Sequence, residues 1–175
     1  MVRSYAAAWA ILLLGAVPTQ SYALDYYFGG SVTTTEPYFE GFEDATGAQA
    51  YVGIYNSENI GFELGYIDFG EFDVTNSSAG NSIDISAFNV SMQAQQRLNR
   101  WFGCQAKLHG LWYELQPNIA GVNNIDSESG LSVGLTFGLS FYFTDSIKLF
   151  ADGGYFFDIE NVDLQTFSAG FEIRI

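Results

Sequence analysis

The sequence predicts an all-β protein: an eight-stranded antiparallel up-and-down barrel that crosses a membrane with its strands. Three observations carry that prediction. From Leu131 to Phe143 every second residue is large and apolar, and the residues between are Ser132, Gly134, Thr136, Gly138, Ser140 and Tyr142. Successive side chains of a strand point to opposite faces, so alternation of this length is a strand signal. Eight segments of the chain alternate in this way, and no segment has a helical period. The 175 residues include 16 Phe and 11 Tyr, while only 15% are charged.

The elements can be taken in chain order. Residues 1–23 read as a secretory signal peptide: Arg3, an apolar run from Tyr5 to Val17, Pro18, then Ser21-Tyr22-Ala23 as a cleavage site. The run is shorter than the roughly 20 residues a spanning helix needs. Cleavage is expected after Ala23, leaving residues 24–175 as the barrel domain. The strands are expected at Tyr26–Thr34, Gln49–Asn56, Ile60–Phe69, Asp84–Arg97, Trp101–Tyr113, Gly130–Phe143, Ile147–Phe157 and Leu164–Ile175. Three connections are tight turns: Ser57-Glu58-Asn59, Leu98-Asn99-Arg100 and Thr144-Asp145-Ser146. The other four, Thr35–Ala48, Gly70–Ile83, Glu114–Ser129 and Asp158–Asp163, are longer. Short and long connections alternate, so the long ones share one end, expected to lie outside the cell. Both termini are expected in the periplasm.

One face of the strands is bulky and apolar, as in Phe62, Leu64 and Tyr66, or Phe88, Val90 and Met92. The other is small or polar, as in Gly61, Glu63 and Gly65, or Asn89, Ser91, Gln93, Gln95 and Arg97. The second strand, AYVGIY, gives no clear face. A soluble lipocalin-type barrel would put the bulky face inside. An eight-stranded barrel has an interior only just wide enough for side chains to fill, and files of Leu and Phe would crowd it. The small face therefore lines the lumen and the bulky face meets lipid. Closure pairs every backbone group, as a bilayer requires.

Charge narrows the function. Twenty acids against six bases argue against a nucleic-acid surface, which needs clustered Lys and Arg. The single cysteine, Cys104, excludes an intrachain disulfide and argues against a cysteine-based zinc site. Glu63, Lys107, Lys148, Asp152, Glu172 and Arg174 fall on the lumen face, with Arg97. They are expected to form a structural ion network, because charges in a narrow lumen must be paired. Glu36, Glu40, Glu43, Asp44, Asp68, Glu71, Asp73, Asp84, Glu114, Asp126, Glu128, Asp158, Glu160 and Asp163 lie in the long connections or at strand ends. They form an acidic rim that carries none of the bases, suited to divalent cations or a surface partner. No stretch has the spacing of a calcium loop. No catalytic residue, resident metal or cofactor is expected.

Several stretches resemble the OmpA-like outer-membrane barrels. NSENIGFELGYIDFG (Asn56–Gly70) resembles the turn before their third strand and that strand itself, with the typical core at Phe62-Glu63-Leu64-Gly65-Tyr66. YYFGGSVT, IKLFADGGYFF and the ending VDLQTFSAGFEIRI resemble other strands of the same family. The resemblance implies an outer-membrane location, lipopolysaccharide and outer-membrane lipids as neighbours, insertion by the barrel-assembly machinery, and a structural or surface-interaction role. The chain departs from the pattern at Ile175, where such barrels most often end in Phe, and no peptidoglycan-binding domain is expected. The alternatives within this fold are a narrow pore and an enzyme acting on lipid A. Deacylases of the latter kind use a His-x-Ser arrangement. Here the only histidine stands in His109-Gly110-Leu111, without that serine.

Overall fold

The computed structural model describes residues 25–38, 41–57, 59–75, 81–119, 127–160 and 162–175. The expected signal peptide, Glu40 and Asp126 lie outside these residues. Eight strands form: β1 (Asp25–Pro37), β2 (Ala45–Tyr55), β3 (Ile60–Asp73), β4 (Ser82–Arg97), β5 (Phe102–Asn118), β6 (Glu128–Tyr142), β7 (Ile147–Ile159) and β8 (Val162–Arg174). Each pairs antiparallel with its chain neighbours, and β1 pairs with β8, so the sheet closes into a barrel. No helix among the described residues is long and apolar enough to cross a membrane.

The two faces follow the alternation. On β6, Phe137 and Leu139 are 64% and 66% exposed on the outer surface, while Thr136 between Leu135 and Phe137 is 8% exposed inside. Phe62, Leu64, Tyr66, Phe88, Val90, Met92 and Leu108 also stand outside. The second strand, whose face the sequence leaves open, turns Tyr51 and Tyr55 inward and Val52 outward.

The β2–β3, β4–β5 and β6–β7 turns sit at one end with the ends of the barrel chain, and the other four connections sit at the opposite end. These are the turn end and the loop end. The strands run further toward the loop end than the sequence reading placed them. β3, β4 and β5 continue to Asp73, from Ser82 and to Asn118. Their pairing reaches Asp73 with Ser82 and Ser82 with Asn118.

The Asp158–Asp163 segment is not a long connection. Ile159 pairs with Val162 across a two-residue turn, after a register shift following Phe156. Asp158 and Glu160 have φ of 54° and 52°, in the left-handed region that tight hairpins use. The backbone N–H of Asp158 donates to Asp163 Oδ1 at 3.0 Å, fixing the turn. Runs of acids with Asn161 read as loop in the sequence because the same residues suit both turns and loops.

A bulge between Asp68 and Gly70 shifts β3 against β4. Gly70 has φ of 95°, and a Cβ there would lie 2.6 Å from the Thr46 carbonyl oxygen. Only glycine fits both demands.

Candidate functional site

The lumen is filled in two layers of different chemistry. Toward the turn end it is polar. Lys107 Nζ on β5 donates to Glu63 Oε1 and Oε2 on β3 at 2.9 and 3.0 Å. Lys148 Nζ on β7 lies 2.9 Å from Glu172 Oε2 on β8. All four side chains are buried. Tyrosines complete the pairs: Tyr27 donates to Glu63 at 3.1 Å and Tyr55 to Glu172 at 2.7 Å. The Tyr27 and Tyr55 rings stack at 4.3 Å, and Lys107 Nζ lies 4.3 Å from the centre of the Tyr51 ring. These tyrosines were not singled out in the sequence, because aromatic residues are also common on the lipid face.

The inward glycines give these rings their room. A Cβ on Gly29 would meet the Tyr51 ring at 2.5 Å, and one on Gly53 the Tyr27 ring at 2.4 Å. The small face predicted from alternation is therefore space that larger neighbours lean across.

Asp152 accepts from Gln105 Nε2 at 2.9 and 3.1 Å. Arg174 lies at the turn-end mouth, 3.8 Å from Asp25 and over the Tyr55 ring at 4.4 Å. Arg97 is exposed instead of lining the lumen. It pairs with Asp145 in the β6–β7 turn at 2.9 Å. Arg97 is the last residue of β4, where burial no longer follows parity.

His109 is enclosed. Its Nδ1 lies 2.9 Å from Ser91 Oγ, which accepts from Asn89 Nδ2 at 2.8 Å, and its Nε2 lies 3.3 Å from Thr136 Oγ1. The closure thus brings a Ser–His pair together from different strands. Both residues are buried in the lumen, between the ion pairs and an apolar layer, away from the lipid-facing surface.

That apolar layer fills the loop end. Ala45, Ile67, Phe69, Phe72, Ile85, Ala87, Leu111, Tyr113, Phe156, Ile159 and Leu164 form one buried cluster. Phe42 of the β1–β2 connection packs on it and bridges to Val74. The sequence reading gave the lumen a lining of Gly, Ser and Thr with a few charges. In this half the structure corrects it to a plug of Phe, Ile and Leu. Inward-facing apolar residues next to outward-facing ones leave no alternation to read, as in Phe156-Phe157.

The acidic rim stands mostly on strands and not in free loops. Glu36, Glu71, Asp73, Asp84, Glu114, Glu128, Asp158 and Asp163 belong to strand ends. Glu43 and Asp44 lie in the β1–β2 connection, and Glu160 in the β7–β8 turn. Glu71, Asp73, Asp84 and Glu114 are exposed on a wall built by β3, β4 and β5, above the band of Tyr66, Phe88 and Trp112. Glu71 accepts from the Ser82 hydroxyl. Partial burial, Asp68 and Glu71 together raise the Asp84 carboxyl above its ordinary value. Asp163 is held below it by the Asp158 N–H and the Tyr155 hydroxyl. Glu160 accepts from Tyr113 at 3.0 Å and ties the turn to the plug. Among the described residues no group of three or more His, Cys, Asp or Glu is arranged to hold a metal ion.

Comparison with known proteins places this architecture. Among the solved structures that share the fold are the following three. Ail, the attachment invasion locus protein of Yersinia pestis, crystallised with the heparin analogue sucrose octasulfate, is 14% identical with a TM-score of 0.59. The alignment covers 87% of this chain and 97% of Ail. Neisserial surface protein A is 13% identical with a TM-score of 0.63, over 87% and 97% of the two chains. OprG of Pseudomonas aeruginosa is 13% identical with a TM-score of 0.65, over 87% and 96%. No curated protein matches the sequence significantly. The family model for the outer membrane protein beta-barrel domain matches residues 6–174. With its lipid-facing aromatic surface and filled lumen, the chain belongs to that family and is a protein of the bacterial outer membrane.

Proposed function

We propose that the protein is a closed structural barrel that presents an anionic surface to the outside of the cell, and that its function is contact rather than transport or catalysis. The loop end faces outward in this reading, the signal peptide is removed after Ala23, and the barrel-assembly machinery inserts the chain. The observation that carries it is the pairing of a lumen filled from end to end with a rim on which carboxylates stand without any Lys or Arg. A filled interior conducts poorly, and the buried Ser91–His109 pair offers a lipid no approach.

The rim selects the chemistry of the partner. Ail was crystallised with a polyanion. The loop end of this chain would repel one. A cationic protein surface fits it, as do divalent cations bridging the rim to lipopolysaccharide phosphates. Such open oxygen sites would bind in the range of about 10⁻⁴–10⁻³ M.

The test is binding of polylysine and of heparin to proteoliposomes carrying the full barrel, across a salt series, with conductance recorded in parallel. Salt-sensitive polylysine binding is expected, together with no heparin binding and no steady conductance. The quadruple variant Glu71→Gln, Asp73→Asn, Asp84→Asn, Glu114→Gln should lose most of the binding while keeping the heat-dependent gel mobility of a folded barrel. Equal binding by the variant, or open-channel currents from the wild type, would overturn the proposal.

A further inference from the structure

The inward charges of the lumen do not balance, Glu63 and Glu172 being fully buried and Asp152 partly so. Glu63, Asp152 and Glu172 bring three carboxylates, and Lys107 and Lys148 bring two ammonium groups. Each lysine is already committed, Lys107 to Glu63 and Lys148 to Glu172. The arginines at the mouth have their own acids, Arg97 with Asp145 and Arg174 with Asp25. Asp152 is left with the neutral amide of Gln105 as its hydrogen-bond donor. An inward carboxylate in a barrel interior needs a positive counterpart.

Asp152 borders a cavity of about 10 Å³ between the ion pairs and the apolar plug. That is room for one water molecule or one ion of similar size. Thr33, Thr136, Thr166 and Ser168 bring hydroxyl groups to the same cavity, with Gln49 beside them. The Thr33 and Ser168 hydroxyls stand 2.9 Å apart. Neutral oxygens around a single carboxylate suit a hard cation. Lys107 lines the cavity as well. A divalent ion would therefore overshoot the charge deficit of one and face an ammonium group.

We infer that this cavity is a binding site for one small monovalent cation of sodium size, held by the Asp152 carboxylate and the surrounding hydroxyl oxygens. The ion completes the lumen's charge balance, and Ile67, Phe69 and Phe156 of the apolar plug border its cavity. The site is independent of the acidic rim and of any surface partner.

The experiment refolds the full barrel into detergent in sodium chloride or in N-methylglucamine chloride of equal ionic strength, in mildly alkaline buffer. The readout is the temperature at which the folded gel band converts to the unfolded one. Wild type should convert several degrees higher in sodium, and Asp152→Asn should convert at one temperature in both salts. Crystals grown in a thallium salt should show an anomalous peak beside Asp152. Wild type indifferent to sodium would mean that a proton neutralises Asp152, and the inference falls. It falls equally if Asp152→Asn keeps the full sodium effect, because the ion then acts elsewhere. If that variant does not fold, the thallium crystal of the wild type decides, and density without a peak at Asp152 overturns the site.

Discussion

The two halves of the lumen solve one problem in opposite ways. Both are enclosed by the same eight strands, with side chains alternating in and out. The turn-end half fills its space with two Lys–Glu pairs and the tyrosines that bind them. The loop-end half fills the same cross-section with Phe, Ile and Leu. Polar filling demands particular partners in particular places. Apolar filling demands only shape. The first half should therefore respond to loss of a single group far more sharply than the second.

Lys107→Met should give the largest effect. It leaves Glu63 buried without its cation, at a cost of about 3–5 kcal/mol. The double variant Glu63→Gln, Lys107→Met should recover much of that loss, as measured by urea unfolding in detergent. If the double variant were worse than the single one, the pair would not be acting as a unit.

Leu135→Arg tests the frame that both halves share. An arginine on the lipid face near the midplane should cost about 2–4 kcal/mol. An Arg variant as stable as wild type would invert the inside–outside assignment of β6.

In the plug, Ile85→Val removes one buried methylene and should cost about 0.5–1.5 kcal/mol. A loss as large as that of Lys107→Met would erase the contrast between the halves.

The smallest effect belongs to the rim. Partial burial, and then Asp68 and Glu71, raise the Asp84 carboxyl, so its charged form is disfavoured in the folded protein. Asp84→Asn should therefore stabilise slightly at neutral pH. The gain should vanish below about pH 3, where the wild-type carboxyl is protonated as well. Unfolding midpoints at the two pH values check this. A gain that persists in acid would assign the effect to packing.

Legibility in the sequence followed the contrast between faces. β6 was readable because Leu131 to Phe143 sets bulky residues against small ones. β2 was not, because its outward Ala48 and Ala50 are as small as its inward Gly47 and Gly53. At the loop end, Phe69, Ile85, Leu111 and Phe156 are apolar residues that point inward, so polarity no longer separates lumen from lipid. Parity placed Glu63 and Lys107 inside. Their contact joins β3 to β5 across the barrel, and that depends on the stagger of the strands, which a linear sequence does not display. The lumen tyrosines were hidden for the same reason, since a ring's side of the wall is set by the neighbours that leave it room.

The pairing of β1 with β8 has a consequence for the order of events in biogenesis. Every other strand pair joins neighbours in the chain and can form as a local hairpin. The β1–β8 seam matches Tyr27 with Arg174 and Pro37 with Leu164, nearly the full length of the barrel domain apart. Closing so large a loop carries the greatest chain-entropy cost of any step and gains nothing until the last strand has been made. Until then β1 and β7 would each present an unpaired backbone edge to lipid, which hydrocarbon does not tolerate. A barrel lacking the segment from Val162 onward is thus a sheet with two raw edges. It closes only when the thirteen-residue strand β8 is in place.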